Sequence, residues 1–154
     1  MAVRQRPRVR QRAQAPEVAR VLLVEDDVTV RLTLQAILQA SGFAVDSAAS
    51  PQEAMEKIEH GQYSLVLCGV HSEDDEECRR VISHARAQDY HPAAAPYLTS
   101  SAGPGRRPKS GRVLIETQEV PDLLAKIADL LADRAVGRER RIMRSRRAVE
   151  LVAN

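Results

Sequence analysis

Apolar residues come in short blocks along this chain, and the spacing inside each block says which kind of element it builds. Val21-Leu22-Leu23-Val24 is a continuous apolar run of the kind carried by a strand buried on both faces, and it ends directly on Glu25-Asp26-Asp27. Carboxylates therefore stand at the C-terminal end of a strand. Val30, Leu34, Ile37 and Leu38 then fall on one helical face, and Ser41-Gly42 stops that helix, with Gly supplying a left-handed cap. Phe43 to Ala48 reads as a second strand. In Ser50-Pro51-Gln52-Glu53 the Ser can cap, the Pro takes the first helical position and the Glu closes a capping box, so a second helix starts at Pro51. It turns Ala54, Met55 and Ile58 inward and ends near Gly61. Ser64 to Cys68 is a third buried strand, followed by a polar and then acidic stretch, Gly69 to Glu77, and a third helix from about Glu76 to Ala87. Ala95 to Thr99 reads as a fourth strand despite Pro96, and Arg112 to Ile115 as a fifth. Pro121 opens a last helix with Leu123, Leu124, Ile127, Leu130 and Leu131 on one face. Five strands alternating with helices imply a parallel sheet covered on both sides, with its functional edge at the carboxyl ends of the strands.

Composition narrows the function. A chain of 154 residues suggests a single domain, and with no Trp, one Phe and three Tyr its core is aliphatic, which argues against an aromatic platform for stacking bases. No stretch approaches the roughly 20 apolar residues that cross a bilayer, and Met1 to Arg20 lacks the apolar run of a secretory signal. Cys68 and Cys78 have neither the number of a disulfide scaffold nor the spacing of a zinc site, which suggests free thiols in a reducing cytoplasm. There is no Ser/His/Asp grouping and no GxxxxGK[ST] loop, and His60, His71, His84 and His91 are scattered, so no enzymatic activity is expected.

Charge divides the chain into three. Residues 1–20 carry +5, residues 21–133 carry −8 and residues 134–154 carry +5. The division suggests a disordered basic arm over 1–20, an acidic domain over 21–133, and a second basic arm over 134–154 that could extend the last helix past Gly137 or form a separate short one. Within the domain, Glu73 to Glu77 is an acidic run that reads as a solvated loop favouring the following helix N-terminus.

The order of elements and the motifs at their ends resemble the receiver domain of bacterial two-component response regulators over about residues 20 to 133. Glu25 and Asp26 resemble the acidic pair that holds Mg²⁺ in that family. Tyr63-Ser64-Leu65-Val66-Leu67-Cys68-Gly69-Val70 resembles its third strand, and Gly69 stands where that strand places the phosphoacceptor aspartate. Thr99 matches the hydroxyl that senses the phosphoryl group. Val113 and Glu116 stand at the positions of the switch aromatic and the invariant lysine. The resemblance implies an α/β, doubly wound, flavodoxin-like fold with five parallel strands in the order 2-1-3-4-5. Two Pro and three Gly between Thr99 and Arg112 argue that the family's fourth helix is replaced by an open basic loop.

Gly69 has no side chain to accept a phosphoryl group, Cys68 should face away from the site by strand alternation, and Glu116 puts an anion where a cation would neutralise phosphate. The sequence therefore predicts a degenerate, phosphorylation-independent pseudo-receiver. It would work as a cytoplasmic signalling adaptor or regulator by binding a histidine kinase, another receiver or an output protein, or as a homodimer. Mg²⁺ at Glu25 and Asp26 would be weak, and no other cofactor is expected. The alternative is a nucleic-acid-associated transcriptional regulator in which Arg138, Arg140, Arg141, Arg144, Arg146 and Arg147 contact phosphates or a partner.

Overall fold

The computed structural model describes residues 18–70, 74–98 and 120–153. Strand β1 (Arg20–Val24) leads into helix α1 (Val28–Ala40), then β2 (Ala44–Ala48), α2 (Pro51–His60), β3 (Leu65–Val70), α3 (Glu76–Arg86), β4 (Ala93–Leu98) and α4 (Val120–Val152). The four strands form one parallel sheet in the order β2-β1-β3-β4, so the chain crosses over from β2 to β3 past β1. This is the parallel sheet covered on both sides that the alternation of blocks predicts, in the doubly wound, flavodoxin-like order 2-1-3-4 that the resemblance implies for these strands.

Period-two alternation along each strand divides the core into two layers. Leu22, Val24, Val66, Cys68 and Val70 face α2 and α3, where they meet Ala54, Ile58, Cys78, Val81 and Ala85. Val21, Leu23, Leu65, Leu67, Ala95 and Tyr97 face the other way, against Leu34 and Leu38 of α1 and Leu123 and Ile127 of α4. Each helix start has a local cause. Asp27 caps α1 by accepting from the Val30 N–H, Ser50 caps α2 through the Glu53 N–H, and Asp75 caps α3 through the Cys78 N–H. Glu53 returns the contact to the Ala49 N–H, which completes the capping box read from the sequence. Gly42 ends α1 with φ +95°, a conformation that a side chain would strain.

Two strand boundaries differ by two residues from the sequence reading. Strand β3 runs on past Cys68 to Val70, so Gly69 lies within it. Strand β4 starts at Ala93, two residues earlier than expected, because Ala93 to Ala95 pair in register with Leu65 to Leu67. For the last helix, of the two alternatives that the sequence leaves open, continuation past Gly137 is the one found. The helix runs unbroken for 33 residues through Gly137 to Val152, so the C-terminal basic stretch continues the helix that covers the sheet. A mid-helix Gly costs only about 1 kcal/mol relative to Ala, which the residues on either side, mostly good helix formers, outweigh. The expectations for the 1–17 arm, the fifth strand at Arg112 to Ile115, and the loop in place of a fourth helix lie outside the described residues.

Candidate functional site

Parallel strands of a doubly wound sheet all deliver their carboxyl ends to one edge, and the crossover between β1 and β3 opens a crevice there. Glu25 immediately follows β1, and Gly69 is the fifth residue of β3, on the same face of the sheet as Leu65 and Leu67. The fold thus brings the predicted acidic pair and the predicted phosphoacceptor position together. Thr99, Val113 and Glu116 lie outside the described residues.

The space above Gly69 is filled. A Cβ added at Gly69 would come within 2.2 Å of Glu25 Oε2 and within 2.8 Å of the Tyr97 hydroxyl oxygen. Tyr97 is the register partner of Gly69 across the β3–β4 ladder, so its ring extends over the missing side chain. Its hydroxyl donates to Glu25 Oε2 at 2.5 Å, and the Asp27 N–H donates to Glu25 Oε1 at 3.1 Å. Glu25 is 2 % exposed and Tyr97 1 %. Burial pushes the Glu25 carboxyl above its ordinary range, against the opposing pull of the Tyr97 and Asp27 hydrogen bonds. Burial, followed by the contact with Glu25, pushes the Tyr97 phenol upward as well, so Tyr97 remains a protonated donor.

The rest of the edge is arranged around this pair. Asp26 is exposed. Arg31 Nη1, one turn into α1, donates to the Glu25 carbonyl oxygen at 2.8 Å and ties the β1–α1 turn to its helix. Cys68 points into the opposite core layer, as the alternation predicts, and its contact with Cys78, together with burial, pushes its thiol upward. A buried, protonated thiol is a poor nucleophile and does not replace a phosphoacceptor.

A Mg²⁺ ion takes a near-octahedral set of oxygen ligands at about 2.0–2.1 Å. Here β3 contributes no carboxylate, and both Glu25 oxygens already accept hydrogen bonds from the protein. Among the described residues no three His, Cys, Asp or Glu side chains are grouped to hold a metal ion. These residues do not fit a Mg²⁺ cage.

Sequence reasoning placed Glu25, Asp26 and Gly69 but missed Tyr97 and Arg31. The signal for Tyr97 was present: it lies two residues before Thr99, so strand alternation puts it on the face that carries the site. Of the arginines named from the sequence, Arg138, Arg140, Arg141, Arg144, Arg146 and Arg147 are all exposed on α4, at the far side of the domain from this pocket. No helix among the described residues is long and apolar enough to cross a membrane.

Residues 21–84 match the sequence model of the response regulator receiver domain. No curated protein matches the chain. Among solved structures, the chain is similar to a response regulator receiver protein from Sinorhizobium medicae WSM419 (20% identity, 78% of this chain and 99% of that one, TM-score 0.62). It is similar also to a CheY-like response regulator receiver domain protein from Methanospirillum hungatei JF-1 (22%, 78% and 98%, TM-score 0.59). A third is the response regulator protein TrrA from Thermotoga maritima, solved in complex with Mg²⁺ and BeF (23%, 73% and 99%, TM-score 0.56). At these identities the structures show a shared fold. The sequence match over residues 21–84 and these likenesses agree on a receiver-like fold for the stretch carrying Glu25, Asp26 and Gly69.

Proposed function

We propose that this protein is a phosphorylation-independent pseudo-receiver, a non-enzymatic signalling adaptor that acts in the cytoplasm by binding another protein. The observation that carries this reading is the Tyr97–Glu25 pair, which occupies the space above Gly69 that an acceptor side chain would need. A receiver of this design holds one arrangement of its functional edge at all times, because the group that would shift it has neither an attachment point nor a metal cage. No cofactor enters this function.

The partner surface on this reading includes α1. Val28 and Leu32, one turn apart, are 57 % and 59 % exposed beside the β1–α1 turn, an apolar step suited to a helix of a histidine kinase, another receiver or an output protein. A second reading, nucleic-acid association, is favoured by α4. Its residues 138–152 are exposed except for half-buried Gly137 just before them, and they carry six Arg against two Glu.

The test is intact-mass measurement after incubation with a small-molecule phosphodonor and Mg²⁺. The expected spectrum shows only the unmodified protein. An adduct with the mass of one phosphoryl group would sink the reading.

A further inference from the structure

The opposite end of the sheet, away from Glu25 and Gly69, holds a cleft. It lies where α4 passes the α3–β4 turn and the start of β3, and it has a volume of about 500 Å³. Gln62, Tyr63 and Ser64 form one wall, Asp89, Tyr90 and His91 a second, and Arg134, Arg138 and Arg141 of α4 the third. A second cleft of about 330 Å³ shares Arg134, Arg141 and His91 with it and adds Arg86 and one acid, Asp133. Volumes of this size suit a ligand as large as a nucleotide.

Three features make this a place for an anion. Arg134, Arg138 and Arg141 stand at i, i+4 and i+7, on one face of α4, where like charges destabilise a helix by a few tenths of a kcal/mol per pair. Among the described residues neither Arg138 nor Arg141 has a carboxylate within ion-pair distance. The one acid lining the larger cleft, Asp89, leaves an excess of cationic groups there.

The walls are also fixed in place. Arg134 Nε donates to the His91 carbonyl oxygen at 3.0 Å and its Nη2 to that of Tyr90 at 3.1 Å, which clamps α4 onto the turn. His91 itself holds φ +46°, a left-handed conformation rare for a side-chain-bearing residue. Gly137 leaves room beside the Arg141 guanidinium, whose Nη1 would lie 3.5 Å from a Cβ there. That guanidinium folds back along the helix beside the cleft it lines, while Arg141 stays exposed and so open to a ligand.

We propose that this cleft binds a small phosphate-bearing anion carrying a di- or triphosphate group, with Arg138 and Arg141 as its principal contacts. Guanidinium groups grip phosphate oxygens through paired, charge-assisted hydrogen bonds, and Gln62 and Ser64 supply neutral donors on the facing wall. The bound anion would relieve the repulsion along α4 and bridge that helix to the domain. This goes beyond the pseudo-receiver reading and stands or falls separately from it.

The test is calorimetric titration of the full chain with inorganic pyrophosphate and, in parallel, with ADP, at fixed ionic strength. Two exposed pairs on α4 are compared: Arg138→Gln with Arg141→Gln at the cleft, and Arg144→Gln with Arg147→Gln beyond it. The expected result is saturable one-to-one binding that weakens about tenfold or more, equal to about 1.4 kcal/mol, in the cleft pair and little in the outer pair. Tighter binding of ADP than of pyrophosphate would identify a nucleotide as the ligand, and equal binding would identify the diphosphate group alone. No saturable binding of either probe overturns the proposal. So does equal weakening in both pairs, or binding only of a short DNA duplex, because each means that α4 acts as an undifferentiated basic rod. Unchanged far-UV circular dichroism of both pairs keeps loss of folding from imitating loss of binding.

Discussion

The two ends of the sheet have been treated in opposite ways. At the carboxyl edge, where parallel folds usually keep a crevice, a buried acid and a buried phenol satisfy each other and leave no room above Gly69. At the foot, where such folds are usually inert, α4 lies beside an open cleft and carries three arginines along one face of it. The contrast teaches that a fold's customary site can be closed from within by a single cross-strand neighbour. The open surface then moves to where charge has been added, which in this chain is the helix following the sheet.

A carboxylate placed at Gly69 is the harshest way to break the contrast. Gly69→Asp drives a Cβ to 2.2 Å from Glu25 Oε2 and adds a second carboxylate beside a buried one. Overpacking and unpaired buried charge together are expected to cost roughly 3–5 kcal/mol in denaturant melts, with Gly69→Ala costing about 1–3 kcal/mol from overpacking alone. A Gly69→Asp variant of native stability would mean that the pocket is emptier than described.

Tyr97→Phe tests the pair from the other side. It removes the donor to Glu25 Oε2 and leaves that oxygen buried without it, an expected loss of about 1–3 kcal/mol measured by the same melts.

Glu25 also sets a pH signature. Burial raises its folded-state pKa above the ordinary 4.5, so between the two values the native state binds more protons than the unfolded state. Its contribution to stability is fully present below about pH 4.5 and is lost as pH rises through the folded-state value. Glu25→Gln keeps an acceptor oxygen for only one of the two donors, Tyr97 or the Asp27 N–H, and cannot ionise. Its stability curve should therefore lack that decline, whereas parallel curves for the two proteins would count against a strained carboxyl.

At the foot, Arg134→Ala removes both hydrogen bonds to the α3–β4 turn and should cost about 1 kcal/mol, with faster amide exchange around Tyr90 and His91. The smallest effect belongs to Gly137→Ala. It improves helix propensity by up to about 1 kcal/mol and meets nothing closer than Arg141 Nη1 at 3.5 Å, so thermal melts should show a modest stabilisation.

The elements were legible in the sequence where local chemistry is strong. The run Val21 to Val24 ending on Glu25 and the capping box at Ser50 needed only residue identity and spacing. Tyr97 was harder because its role depends on pairing register: only the alignment of Gly69 with Tyr97 across two strands shows that one residue's vacancy is filled by the other's bulk. The reach of α4 stayed open for a different reason. Gly137 and the arginine run allowed either a continued helix or a separate short one, and local propensity on both sides carries it through.

The most direct test of the closed edge is a two-dimensional amide NMR titration of the unmodified protein with Mg²⁺ and then beryllofluoride, which together mimic a bound phosphoryl group and its metal. A filled pocket predicts no saturable shift at Glu25, Asp26 or Gly69 at millimolar concentrations of either. Saturable shifts at those three amides would contradict it, since they would show that Tyr97 yields its place and that the edge above Gly69 still takes an anion and a metal.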